Sequence, residues 1–140
     1  MSKKEEKMAN ALYGKGREAF MKADIDLEVA DIIFAFVDAG VYTLQIDVHD
    51  FRDDIPSEIA ASGNLSSKTY TLGVFDAADE TVGTVSGNEF EYIILIENTG
   101  TPATSHLIAC IDTATGLPCT PNGGDIIVQW DSGVNKIFKL

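Results

Sequence analysis

From Ala23 to Leu140 the chain is a series of short apolar runs, each stopped within a few residues by glycine, proline, asparagine, aspartate or serine. That rhythm disfavours long helices and selects strands joined by turns. Ile25, Leu27 and Val29 alternate with Asp24, Asp26 and Glu28, the period of two that marks a half-buried strand. The next stretch, DIIFAFVD, is apolar and rich in β-branched and aromatic residues, which predicts a more deeply buried strand. After Ala39 and Gly40, VYTLQIDV alternates again. HDFRDDIPSEIAASGN carries Pro56, Gly63 and several turn formers and reads as a long loop with one helical turn. Further strands are predicted from Lys68 to Phe75, Thr81 to Ser86, Phe90 to Glu97, His106 to Asp112, Asp125 to Asp131 and Val134 to Leu140. The segments between them, DAAD, SGN, NTGTPATS, TGLPCTPNGG and DSG, are turn chemistry. The fold class predicted is mainly β: a single-domain β-sandwich or barrel with a short N-terminal helix or arm.

The start of the chain follows different rules. Met1 to Lys7 is polar and aperiodic, which predicts disorder. Met8 offers a second start. KKEE is encodable by a purine-rich stretch resembling a bacterial ribosome-binding site, so translation is expected to begin at Met8. GKGREAFMK, from Gly14 to Lys22, holds good helix formers but is too short to be stable without packing. Two units are therefore expected: a flexible basic arm over residues 1–22, dispensable for folding, and an acidic β-rich domain over residues 23–140.

Charge separates these units. Residues 1–22 hold six Lys/Arg and three Glu, a net of +3, while residues 23–140 hold four Lys/Arg and 19 Asp/Glu, a net of −15; together they give the −12 of the chain. An acidic body repels phosphates, so no nucleic-acid partner is expected. The longest apolar runs, Ile32 to Val37 and Tyr92 to Ile96, fall far short of the roughly 20 residues of a membrane-crossing helix. No membrane partner is expected, and synthesis is expected in the cytoplasm. A hairpin across TATGLP would bring Cys110 and Cys119 together, but a core of this size does not need a covalent staple, and reduced thiols are the cytosolic default.

Catalytic chemistry has little to work with. Asp24, Asp26 and Glu28 read as a solvated strand face, and Asp76, Asp79 and Glu80 as a polar turn. Asp50, Asp53 and Asp54, beside His49 and Arg52, supply oxygens of the kind calcium needs but lack the D-x-[DN]-x-[DN]-G spacing. His49 and His106 carry no metal or triad motif, and the GKG at residues 14–16 lacks the phosphate-loop spacing. Trp130 reads as a core or interface aromatic rather than a sugar platform. The expectation is a protein with no cofactor, no metal and no enzymatic activity.

MANALYGKGREAF with DIDLEVADIIFAFVD, and more specifically HLIACIDTATGLPCTPNGGDIIVQWDSGVNKIFKL, resemble a family of small virion structural proteins of tailed bacteriophages. HDFRDDIP and KTYTLGVFDAAD fit more loosely, so the likeness runs from Met8 to the end of the chain. It implies a scaffold within a phage particle and brings no catalytic motif.

Within that setting the expected role is capsid decoration, or cement: a protein of the phage head, a homo-oligomer (a trimer), bound to the major capsid protein or other virion proteins. Lys15, Arg17 and Lys22 are the expected electrostatic contacts of the arm. Tyr13 and Phe20 are its expected apolar anchors, and Phe138 and Leu140 are expected to cover a neighbour. The alternatives are a head–tail connector, neck or tail protein and, in another class, a module binding host-surface carbohydrate through Trp130.

Overall fold

A computed structural model describes residues 10–134 and 136–140. The expected disordered start and the choice between Met1 and Met8 lie outside the described residues. The ordered elements are β1 (Ala11–Leu12), α1 (Gly14–Met21), β2 (Ile32–Val37), β3 (Ala60–Ala61), β4 (Val74–Phe75), β5 (Glu80–Val82), β6 (Tyr92–Glu97), β7 (Leu107–Ile111), β8 (Ile126–Val128) and β9 (Phe138–Lys139). Single 3₁₀ turns occupy Arg52–Asp54, Thr71–Gly73 and Pro102–Thr104.

The apolar run of β2 sets the architecture. All six of its residues are buried, so the strand must lie inside a sheet covered on both faces. It pairs antiparallel with β6 from Ile32↔Glu97 to Val37↔Tyr92. β7 extends the other side of β6, with an irregularity between Leu95 and Ile96. β1 and β3 complete an open five-stranded sheet of order β1-β7-β6-β2-β3. Two antiparallel ribbons, β4–β9 and β5–β8, stand apart from it. The protein is thus mostly sheet, with one helix among the described residues, as the turn-punctuated sequence predicts.

Strand alternation divides the interior into two cores. On one face Phe34, Phe36, Leu95 and Ile108 meet Phe75, Val82, Val128 and Phe138 from the ribbons. Phe36 stacks on Phe90 with centroids 4.3 Å apart, and Trp130 meets Phe34 edge-on at 5.7 Å. On the other face Ile33, Ala35, Val37, Ile94 and Ile96 meet Tyr13, Tyr42 and Ile55, with Leu44 and Ile46 packed beside them.

Three expectations are corrected. Residues 25–29 form turns, not a strand: the Asp26 carbonyl accepts from Val29 and Ala30, and the Asp26 carboxylate accepts from Glu28 N–H. Residues 41–48 also lack a strand, since Tyr42 N–H bonds back to Asp38 and His49 N–H to Gln45. The third concerns the N-terminus. From Asn10 onward it is not a separate arm but part of the fold. Ala11 and Leu12 pair with Cys110 and Ala109, Tyr13 N–H donates to the Ile108 carbonyl at 2.9 Å, and α1 packs against β7, where a Cβ on Gly16 would lie 2.5 Å from the Leu107 carbonyl oxygen. Only a glycine lets the helix approach that closely.

Candidate functional site

The residues expected to meet a partner fall into distinct environments. Tyr13 is fully buried, so it is a core residue and not an anchor; its hydroxyl needs an internal partner. That partner is the Tyr42 hydroxyl at 2.9 Å, and Tyr42 in turn reaches His49 Nδ1 at 2.8 Å. Burial pushes the Tyr13 hydroxyl well above the ordinary tyrosine range. Burial likewise pushes Tyr42 up to about 12 and the Cys110 thiol up to about 12. Cys110 and Cys119 are both free thiols.

Phe20 and Phe138 come together, with ring centroids 6.1 Å apart. Phe138 is 8% exposed and also packs on Phe75 at 5.2 Å. This contact joins the N-terminal helix to the C-terminal strand, so Phe138 belongs to the core and Phe20 to its margin. Leu140 remains 57% exposed.

Lys15, Arg17 and Lys22 lie at the surface on or beside α1. Lys15 pairs with Glu18 at 3.6 Å, Arg17 with Asp47 at 3.9 Å and Lys22 with Asp24 at 3.8 Å. Their side chains are 43%, 53% and 67% exposed, and exposed pairs of this kind contribute at most about 1 kcal/mol each. Each is readily exchanged for a carboxylate on another molecule. By contrast Arg52 is committed internally: its guanidinium holds Glu58 through two hydrogen bonds of 2.8 Å, and that bonding raises its pKa.

The carboxylate clusters serve local structure. Asp54 accepts the N–H groups of Asp50 and Phe51; burial works against its charged form, but these bonds hold its pKa below the usual carboxylate range. Asp79 caps Trp130 N–H at 3.0 Å, and Asp76 faces Lys136. His106 Nδ1 lies 2.6 Å from Glu97. Among the described residues no three His, Cys, Asp or Glu converge as a metal site, and no helix is long and apolar enough to cross a membrane. Trp130 is half-buried, with its indole N–H bonded to the Ala78 carbonyl at 3.1 Å. It lines an open groove of about 540 Å³ beside Ile111, Ile127 and Ile137.

One exposed feature escapes the sequence reading. Leu72 is 91% exposed and adopts φ 57°, ψ 33°, a left-handed conformation that costs a residue with a Cβ roughly 1–2 kcal/mol. The turn carrying it is fixed by Gly73 N–H to Tyr70 and by Leu140 N–H to the Gly73 carbonyl. Lys139 stands opposite Val74 in the same ribbon. The sequence signal is faint: Leu72 precedes Gly73 inside a stretch that reads as continuous strand.

No protein-family model matches the chain, and no curated protein matches it.

Proposed function

We propose that this protein is a non-enzymatic structural component of a tailed-phage particle, a capsid decoration protein that docks on the major capsid protein. The observation that carries the reading is charge segregation. Lys15, Arg17 and Lys22 are presented at the surface by a single helix and its C-terminal end, each held by an exchangeable exposed pair, on a body whose residues 23–140 are strongly acidic. Such a surface favours a contact with carboxylates on a protein shell and disfavours packaged DNA. The sequence likeness to small phage virion proteins supplies the setting, and its most specific stretch is used for β7, β8 and β9. In this role the work done is interface free energy, and a contact of roughly 1,200–2,000 Å² would be ordinary. We read the architecture as an open sandwich, the five-stranded sheet forming one layer and the two ribbons the other.

Cryo-electron microscopy of purified particles, with the copy number from quantitative mass spectrometry, tests this. The expected result is density of this chain distributed over the outer shell. A single ring at the portal or tail would replace decoration by a connector role, and absence from purified particles would remove the virion reading altogether.

A further inference from the structure

We propose that Asn122 is a self-modifying site: its side chain cyclises onto the nitrogen of Gly123 and loses ammonia, at a rate set by the opening of the β5–β8 ribbon. Nothing in this step depends on the virion reading. Of the six asparagines in the chain, only Asn122 is followed by glycine. A glycine on that side leaves no Cβ to crowd the backbone nitrogen as it swings towards the side-chain amide carbon. The turn itself selects the glycine. Gly123 has φ +87°, and a Cβ there would meet nothing within 4 Å, so backbone conformation rather than space favours a residue without a side chain. Asn122, Gly123 and Gly124 are all exposed to solvent.

The reaction needs only water. The Gly123 nitrogen attacks Cγ of Asn122 and a succinimide ring closes. The bond from Cγ to the side-chain nitrogen breaks, and ammonia leaves with the proton lost by Gly123. Water then opens the ring at either carbonyl. Attack at the side-chain carbonyl gives an aspartate in a normal main chain. Attack at the main-chain carbonyl gives an isoaspartate, whose link to Gly123 runs through the side chain and is one methylene longer.

The fold holds this chemistry in check. Gly123 N–H donates to the Val85 carbonyl at 2.8 Å, and Val85 N–H donates to the Gly124 carbonyl at 2.9 Å. Asn122 Oδ1 accepts Gly124 N–H at 2.9 Å, so both reacting groups are engaged elsewhere. Asp125 anchors the facing segment by accepting Thr84 N–H at 3.0 Å. Freeing the nitrogen therefore means parting residues 84–85 from residues 123–125. That is a local event: the adjoining ribbon has three pairs, Val82↔Ile126 to Glu80↔Val128, and stands apart from the five-stranded sheet. Either product adds a carboxylate close to Asp125. Only the isoaspartate leaves the end of the ribbon open, because its longer link shifts Gly123 and Gly124 out of register with Val85.

The test ages the purified full-length chain at mildly alkaline pH, folded and in urea, and follows each asparagine by peptide mass spectrometry that resolves isoaspartate. In urea Asn122 is expected to convert ahead of the other asparagines. In the folded chain it is expected to convert roughly 10- to 100-fold more slowly than in urea, the ratio for breaking two backbone hydrogen bonds. Asp125→Ala removes the Thr84 anchor and should speed conversion in the folded chain while leaving the urea rate unchanged. Hydrogen exchange gives a second readout: protection of the Val85 amide should persist in Asn122→Asp and be lost in the isoaspartate form. Conversion of Asn122 as fast folded as in urea, or no sooner than the other asparagines in urea, overturns the proposal. So does a folded Asp125→Ala chain that ages at the wild-type rate, or an isoaspartate form that still protects Val85.

Discussion

Gly16 is the third residue of the eight in α1, where the usual expectation for alanine is a gain. A glycine inside a helix is about 1 kcal/mol less favourable than alanine. The packing against β7 argues the other way. A Cβ at this position would lie 2.5 Å from the Leu107 carbonyl oxygen and 3.3 Å from Ile108 Cα, both strand backbone. Backbone atoms of a buried strand cannot rotate away as a side chain can, so the helix must lift from the sheet. That movement strains the Tyr13 N–H bond to Ile108 and loosens Ala19, which is 2% exposed. Overpacking of this kind costs roughly 1–3 kcal/mol. The 2.5 Å contact is with strand backbone, which places the cost in the upper part of that range, roughly 2–3 kcal/mol; less the propensity gain of about 1 kcal/mol, Gly16→Ala should destabilise by about 1–2 kcal/mol, a fall in Tm of roughly 3–8 °C. Gly14 is the internal control. Its added Cβ would meet the Asp47 carboxylate oxygen at 2.5 Å, the movable end of an exposed side chain, so Gly14→Ala should be close to neutral. Urea unfolding of the two variants beside wild type measures both. If Gly16→Ala is neutral or stabilising, α1 is not seated on β7 and the N-terminus is after all a detachable arm.

Other outcomes follow from the same interior. Tyr13→Phe should cost about 1 kcal/mol, whereas Tyr42→Phe should cost more, up to roughly 3 kcal/mol, because it leaves the buried Tyr13 hydroxyl without its partner; chemical denaturation ranks the pair, and equal costs would contradict the chain of hydroxyls. Phe36→Ala removes the ring stacked on Phe90 and should destabilise by about 3–5 kcal/mol, visible as a lower urea midpoint. The raised pKa values of Cys110, Tyr13 and Tyr42 fix the sign of the alkaline limb. The unfolded chain releases these protons near the ordinary thiol and tyrosine values, while the folded chain retains them. Their contribution to stability is therefore fully present below about pH 8.5 and lost progressively as pH rises towards 12. A Tm that stays flat from pH 8 to 11 would show that these groups are not buried as described.

The sequence was most legible where one signal dominated. The apolar run at residues 31–38 announced β2, and the predicted strands beginning at Phe90 and His106 contain β6 and β7. The helix from Gly14 ends at Met21, one residue before the expected limit. Alternation was less reliable, because it reports burial on one side and not pairing. Ile25 and Leu27 are drawn inward from a turn, and Tyr42, Leu44 and Ile46 cover the second face of the sheet without a ladder of their own. Both segments satisfy the period of two and neither is a strand. The environment of Tyr13 was hidden for another reason: its cover comes from residues about 30 and 95 positions away, Tyr42 and Ile108, and local composition does not encode such distance. Of the expected contact residues, Lys15, Arg17 and Lys22 lie at the surface, whereas aromatic character did not distinguish a core ring such as Phe138 from an exposed one.

The pairing of β4 with β9 has a consequence for how the protein is made. Val74 and Phe75 find their partners in Lys139 and Phe138, and Leu140 donates to Gly73. β1, the first strand, waits for Ala109 and Cys110. Both closures join segments far apart in sequence, so the outer strands are seated only once the stretch from Ala109 to Leu140 is available. Until then the outer edge of β7 and the apolar face that Phe138 covers stay open. A product cut before β9 would therefore keep apolar surface open rather than form a shortened version of the domain.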